Sequence, residues 1–263
     1  MAWGRWLQRV LAAALVVLGV ALLASELNLL PAEWAQPVAL GGPAVVMAAG
    51  LGLVVWGWSG WRQPLAPFAI ERGAAECAEL VAVTGGADLE VRAFGGSGQL
   101  AVGQFPSPRG PRVVARGATA RVHLEPRLTT PYANNQWSVA LAKTVPWAFD
   151  LRSGGGHFDL NLRDLSVASL RVHSAYGSVD LTLPAQCPAE LRVRLALGDL
   201  AVCVPEGVEV KLRLIVGPLV MVDVDERRFI NVAPNEWMTP LYTTTHQRCT
   251  LLVDMSAGDL RVG

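Results

Sequence analysis

One short pattern occurs four times between Phe149 and Val224. Each repeat is an alternating apolar run, a glycine and a second alternating run. The four segments read FDLRSGGGHFDLNL (149–162), LRVHSAYGSVDLTLP (170–184), LRVRLALGDLAVCVP (191–205) and VKLRLIVGPLVMVDV (210–224). A fixed period of about 20 residues built from short strands is typical of a solenoid, in which stacking buries faces that a single unit would leave exposed.

The glycine of each unit lies where the chain must turn between its two runs. Gly156, Gly177 and Gly198 recur at equal spacing, and Gly217 continues the series at a slightly shorter one. Glycine adopts positive φ without the penalty of a Cβ atom, so we assign sharp turns to these positions. A closing unit repeats the pattern around Gly258.

Apolar residues recur at matching places after the glycines, which predicts inward-facing ladders. Two residues after the glycine stand Val179, Leu200 and Leu219, and four residues after it stand Leu181, Val202 and Met221. An ordinary antiparallel meander, whose turns also recur at short and regular intervals, is the alternative interpretation.

The composition is too apolar for an average soluble domain. Hydrophobic residues make up 52% of the 263 residues and charged residues 17%, with a mean hydropathy of +0.35. The excess is concentrated near the start: 16 uncharged residues separate Arg9 from Glu26, and 28 separate Glu33 from Arg62. Runs of this length approach or exceed what a helix needs to cross a bilayer, so residues 1–62 are predicted to form a two-helix transmembrane hairpin.

Tryptophans and charges give the hairpin an orientation. Six of the nine tryptophans lie at or before Trp61, close to the ends of the apolar runs, as expected at a membrane interface. Arginine flanks the outer ends of the hairpin, whereas Glu26 and Glu33 lie in the connection, so both ends are predicted to face the cytoplasm. A cleaved signal peptide ending near Ala24 is the alternative, and it could place the repeat domain outside the cell. Glycines at 41, 42, 50, 52 and 57 would allow close helix packing, which leaves homo-oligomerisation open.

The rest of the chain divides into a connector and a repeat domain. Residues 63–76 contain two prolines and no clear period, which indicates a juxtamembrane linker. Residues 77–263 are predicted to form the β-solenoid, with insertions near 127–147 and 226–248. The second insertion contains the aromatic residues Phe229, Trp237 and Tyr242. It is interpreted either as a partner-binding surface that exposes these aromatics or as a cap over the last unit.

The segment from Asn134 to Pro184 resembles a known family. An Asn-x-x-Trp run, a Val-Pro turn and the block LRVHSAYGSVDLTLP are similar to the C-terminal domain of LiaF-like bacterial membrane proteins, also called the toastrack or "putative adhesin" domain. The resemblance implies a single-chain stack of short β-strands. It also implies a membrane-tethered regulatory or scaffold protein, because some members modulate sensor kinases that respond to cell-envelope stress. Better-known members often have four membrane helices where this sequence has two, and the family brings no catalytic residues.

The sequence offers little that indicates a metal site. The histidines His123, His157, His173 and His246 lack zinc-ligand spacing, and no two of the four cysteines lie within four residues of each other. The cysteines could form two disulfides outside the cell, or remain small buried hydrophobic residues in a reducing cytoplasm. The cysteines are Cys77, Cys187, Cys203 and Cys249.

Other chemistry is also weakly indicated. Ser153 to Gly156 is a glycine-rich turn without the lysine and helix of a phosphate-binding loop. Asp159 and Asp180 both follow a glycine by three residues, so stacking could pair them, although the solvated side of a strand is the simpler interpretation. After residues 1–62 are set aside, 19 of the 22 basic and 20 of the 22 acidic residues remain, which argues against nucleic-acid binding.

Taken together, the sequence predicts a mainly β protein: a stacked β-solenoid preceded by an α-helical membrane hairpin. No catalytic, cofactor or metal residues are predicted, so we expect a protein that is not an enzyme. The expected partners are the lipid bilayer and a membrane sensor protein. The expected function is regulatory or scaffolding contact in envelope-stress signalling, and the alternative is an extracytoplasmic adhesin-like module.

Overall fold

The computed structural model describes residues 65–96, 98–106, 110–125, 136–187, 190–245 and 248–263. Within these ranges every regular element is a β-strand, and no helix is present that could cross a bilayer. The predicted transmembrane hairpin, its glycines and its orientation fall outside the described residues. The strands are β1 (Ala66–Glu71), β2 (Cys77–Val83), β3 (Asp88–Phe94), β4 (Gln99–Phe105), β5 (Arg112–Arg116), β6 (Thr119–Leu124), β7 (Gln136–Ala142), β8 (Trp147–Ser153), β9 (His157–Asn161), β10 (Val167–Thr182), β11 (Glu190–Cys203), β12 (Glu209–Val224), β13 (Ile230–Ala233), β14 (Glu236–Met238) and β15 (Arg248–Val262).

The repeating unit is a two-armed rung. β10, β11, β12 and β15 each supply both arms of one rung, with the glycine at the corner between the first arm and the second. Three further rungs are made from strand pairs, β2 with β3, β6 with β7, and β8 with β9. Neighbouring rungs pair in parallel, so the described residues form a stack of seven rungs.

The rungs do not follow one another in chain order. Along the stack the order is β6/β7, β2/β3, β8/β9, β10, β11, β15 and β12. The C-terminal strand β15 is therefore inserted between β11 and β12. The β2/β3 rung lies between the β6/β7 and β8/β9 rungs. The stack and the chain run in the same order from β8/β9 to β11, whereas the β6/β7 and β15 rungs lie out of chain order.

The core lies between the two arms. Inward side chains from both arms form one buried cluster. The first-arm ladder runs Leu151, Val172, Val193, Val253 and Leu214, and the second-arm ladder runs Leu160, Leu181, Val202, Val262 and Val224. Each ladder stacks like residues on like residues, which is how a short repeat builds a continuous apolar core.

Leu219 and Met221 do not join this core, and their prediction as ladder residues is wrong. The pairing of β12 with β15 shifts register between Val216 and Leu219, at the Gly217-Pro218 corner. Since side chains alternate along a strand, this slip turns Val220, Val222 and Val224 inward and Leu219 and Met221 outward. Leu219 is 74% exposed and Met221 is 69% exposed.

Two boundaries drawn from the sequence also change. Residues 66–71, assigned to the linker, form β1 and pair with β4. Residues 136–142, assigned to an insertion, form β7, a strand of a core rung in which Trp137 is buried. Trp137 packs edge-on against Phe105 at a centroid distance of 5.1 Å, so an aromatic pair joins the aliphatic core residues at this end of the stack.

Candidate interaction surface

The corner glycines form a stack of their own. Gly156, Gly177, Gly198 and Gly258 have φ values of 101°, 119°, 136° and 124°. A Cβ atom on Gly177 would overlap the carbonyl oxygen of Gly156, and one on Gly198 or Gly258 would overlap the corresponding oxygen of the neighbouring corner. Close backbone approach and positive φ therefore both require glycine here.

Gly217 differs from the other assigned turn residues. It is not among the positive-φ glycines, and it lies at the register shift of β12 beside the backbone of Ser256. The β12 corner thus has a different backbone path from its neighbours, which explains the changed side-chain alternation beyond it.

The three aromatic residues predicted as partner contacts do not form an exposed group. Phe229 is only 3% exposed and belongs to the core cluster, so its assignment as an exposed anchor is wrong. Trp237 is half-buried in β14, where it pairs with Leu212. Tyr242 is also half-buried, and its hydroxyl lies 3.1 Å from the Thr250 hydroxyl.

The insertion instead covers one arm of the last rung. β14 pairs antiparallel with β12 at Lys211–Arg213, and β13 pairs with β14. The Glu236 carboxylate lies 2.7 Å from the Lys211 ammonium and 2.9 Å from the Arg213 guanidinium, and these contacts lower the pKa of Glu236. The cap interpretation of this insertion therefore accounts for Phe229 and for the whole β13–β14 hairpin.

The second arm of the last rung is left uncovered. Residues Leu219–Val224 pair with β15 on one side, and no strand of the described residues pairs with them on the other. At the opposite end of the stack both arms are covered, by β5 on β6 and by β4 with β1 on β7. We call Leu219–Val224 the open edge.

The outward side of the second arms is acidic. The strands that form it are β3, β9 and the second arms of β10, β11, β15 and β12. Their charged residues are Asp88, Glu90, Asp159, Asp180, Asp199, Asp223 and Asp259 against Arg92 and Arg261, a net charge of −5 with histidine neutral. We call this surface the acidic face.

The first arms carry a net positive charge. Their strands, β2, β6, β8 and the first arms of β10, β11, β12 and β15, hold an excess of three positive charges. The residues are Arg121, Arg152, Arg171, Arg192, Arg194, Lys211, Arg213 and Arg248 against Glu79, Asp150, Glu190, Glu209 and Asp254. A nearly neutral chain thus has two oppositely charged sides, which overall composition could not reveal.

An open hollow of about 660 Å³ lies where the acidic face meets the open edge. Its lining includes Asp180, Asp223, Asp225 and Arg261, together with the exposed thiol of Cys203. The hollow places several carboxylates next to the uncovered strand.

The two carboxylates singled out in the sequence are neighbours, but on an open surface. Asp159 and Asp180 occupy paired positions of β9 and β10. An Asp159 oxygen lies 3.7 Å from the Arg92 guanidinium, and an Asp180 oxygen lies 3.5 Å from Nε2 of His157. Both side chains are more than a third exposed, as expected for the solvated side of a strand.

Metal-ligating geometry is not found in the part of the chain that the structure describes, where no group of three or more His, Cys, Asp or Glu side chains converges. The four cysteines are free thiols. Cys249 is buried, and its contact with the Cys187 thiol together with burial raises its pKa.

Comparison with known proteins agrees with this architecture. Residues 116–201 match the family model described as the N-terminal domain of toast_rack, DUF2154. A crystal structure of a "putative cell adhesion protein" from Clostridium sporogenes is 15% identical in sequence and has a TM-score of 0.63, covering 76% of this chain and 98% of that chain. The fold is a toastrack-type β-solenoid.

A second structure is more distant. A "putative adhesin" from Bacteroides fragilis is 12% identical, with a TM-score of 0.35 over 76% of this chain and 98% of that chain. No curated protein sequence matches this chain. The toastrack likeness to the Clostridium structure, at 15% identity, is a likeness of fold.

Proposed function

We propose that this chain is a non-enzymatic, membrane-anchored regulatory or scaffold protein that acts by binding another membrane protein in cell-envelope stress signalling. The open edge supports this function most directly, because Leu219 and Met221 are largely exposed on a strand segment whose other side pairs with no strand of the described residues. Exposed apolar residues next to unpaired backbone groups are typical of a protein-binding site.

The membrane anchor makes such a site effective. The apolar runs before residue 62 would hold the toastrack domain at the cytoplasmic surface, as a two-pass protein. Confinement to the membrane plane raises the effective concentration of neighbouring membrane proteins, so even a modest interface can be occupied.

Crosslinking in native membranes tests this proposal. A short amine-reactive crosslinker applied to membranes from cells that express the tagged full chain should capture a specific membrane protein. The matched variant carries Trp237→Ala and Tyr242→Ala, and it should capture the same partner, because these residues belong to the cap. Failure of the wild-type chain to capture any membrane protein would contradict the scaffold function.

The second candidate is an extracytoplasmic adhesin-like module, which the description of the Clostridium structure as a cell adhesion protein favours. The exposed thiol of Cys203 distinguishes the two functions. A maleimide that cannot cross membranes should leave Cys203 unmodified in intact cells and label it after lysis if the domain is cytoplasmic. Labelling of intact cells that is lost in Cys203→Ser would favour the adhesin-like module instead.

A further inference from the structure

The open edge presents its backbone in a defined way. The Asp225 N–H donates to the Val262 carbonyl at 2.9 Å, which fixes the side of β12 that faces β15. Backbone groups of successive residues point to opposite sides of a strand, so Met221 and Asp223 also point toward β15. The N–H and C=O groups of Val220, Val222 and Val224 therefore point away from the stack.

Few features protect this edge from pairing with another strand. Natural edge strands are usually very short, or carry proline, exposed charged residues (especially lysine) or inward-pointing charge. β5, at the other end of the stack, follows that rule with Arg112 and Arg116 at its ends. The open edge has Pro218 before it and Asp223 within it, but its other residues are apolar.

The surroundings of the edge select the charge of what binds there. Asp223 lies in the strand itself, Asp225 follows it, and Asp259 pairs with Met221 from β15. From these residues the acidic face continues along the stack, across the second arms of the other rungs. A strand added to the open edge would extend this face, so lysine or arginine on its outward side would meet negative charge.

A second copy of this chain fits less well. Two copies paired through the open edge, antiparallel and related by a two-fold axis perpendicular to the sheet, would place both acidic faces on the same side of one continuous sheet. Each face carries a net charge of −5, and like charges brought side by side repel.

From these observations we infer that the open edge binds an extended segment of a partner protein by strand addition, and that this segment alternates apolar residues with lysine or arginine. This inference rests on the proposed protein-binding function. It adds the binding mode and the chemistry of the partner segment. The backbone hydrogen bonds provide affinity, and the acidic residues beside the strand provide charge selectivity.

Peptide binding to the purified full chain tests this inference. The probe is a fluorescent peptide of about seven residues, the length of an ordinary strand, that alternates valine and lysine. The control peptide alternates valine and glutamate. We expect the lysine peptide to bind and to outcompete the glutamate peptide. Its affinity should fall as the salt concentration is raised. Equal binding of both peptides would overturn the charge selectivity.

Two substitutions identify the site. Val222→Pro removes an outward-pointing N–H and leaves the bonds to β15, since proline is tolerated where an edge N–H faces solvent. Val222→Pro should weaken binding of the lysine peptide by about tenfold. Val222→Ala keeps the N–H, so its affinity for the peptide should be close to that of the wild-type chain. Unchanged binding by Val222→Pro would overturn strand addition.

A second variant guards against misfolding of the proline variant. Asp223→Asn removes the charge of an exposed, outward side chain and should also weaken binding of the lysine peptide, by about threefold, while leaving thermal unfolding nearly unchanged. If the wild-type chain dimerises and Val222→Pro abolishes the dimer, a second copy of the chain occupies the edge. That result would overturn the inference that a basic segment of a partner protein binds there.

The inference and the proposed function can fail separately. If wild type and Val222→Pro capture the same membrane protein equally, strand addition at this edge is wrong and the scaffold function stands. If wild type captures none, the scaffold function is wrong whatever the peptides do.

Discussion

At the residue scale, the corner glycines are the positions where a side chain is least tolerated. Gly198 has φ of 136°, and a Cβ atom there would meet the backbone of Gly177. Gly207 also has positive φ, 80°, but nothing lies within 4 Å of its Cβ position. The two glycines therefore separate the cost of the backbone conformation from the cost of stacking.

Replacing them by alanine should destabilise the fold unequally. Gly207→Ala should cost about 1 to 3 kcal/mol, the usual cost of an unfavourable φ/ψ region. Gly198→Ala should cost more, because the corner of the neighbouring rung must also move. Chemical denaturation of both variants measures this difference, and equal losses would contradict close stacking of the corners.

The cysteines should differ in reactivity for an electrostatic reason. The thiolate is the reactive form, and a raised pKa keeps the Cys249 thiol protonated at pH values where an ordinary thiol already ionises. Alkylation of the folded chain should therefore modify the exposed Cys203 first, and Cys249 should remain unmodified as pH rises from 7 to 9. Equal rates at Cys203 and Cys249, followed by mass spectrometry, would contradict the buried arrangement.

At the element scale, the sequence predicts the alternation of buried and exposed side chains along a strand, but it does not predict the register in which two strands pair. Val179, Leu181, Leu200 and Val202 are buried as predicted, because β10 and β11 share one corner geometry. Counting residues from the glycine gives the wrong result in β12, because the register shift at Gly217-Pro218 exchanges the inward and outward sides of the strand. A pattern in one strand cannot report a register that depends on its partner, and that partner, β15, follows only after the whole insertion.

A polar substitution in the second-arm ladder tests the register directly. Leu181 is 1% exposed and pairs with Leu160 and Val202, so Leu181→Asp should cost at least about 3 kcal/mol through lost apolar burial and an unpaired buried charge. Thr182→Asp, one residue along and on the other face, should cost far less. Similar unfolding midpoints for the two variants would contradict the assigned faces.

At the scale of the whole molecule, the position of β15 between β11 and β12 decides which strand edge is left uncovered. If rungs stacked in chain order, β15 would be the last rung and β12 would be covered on both sides. Because β15 pairs with β11 and β12, the slipped second arm of β12 becomes the end of the stack. The repeat period in the sequence predicted a stack, but rung order depends on long-range pairing that leaves no local pattern.

The open edge could not be found from the sequence. The aromatic residues of the insertion suggested a binding surface, yet Phe229 fills the core and Trp237 lies in the covering hairpin. Leu219 and Met221 were assigned to the core because they matched buried residues of other rungs. Their exposure follows from the register shift, which only the paired strands reveal.

Photo-crosslinking in native membranes tests whether a partner binds at the open edge. A photoreactive amino acid is placed at Met221 in one variant and at Arg171, an exposed position on the first arm, in another. We predict that only position 221 captures a membrane protein, and that the captured peptide alternates apolar and basic residues. Capture from position 171 with none from position 221 would show that the partner does not bind at the open edge.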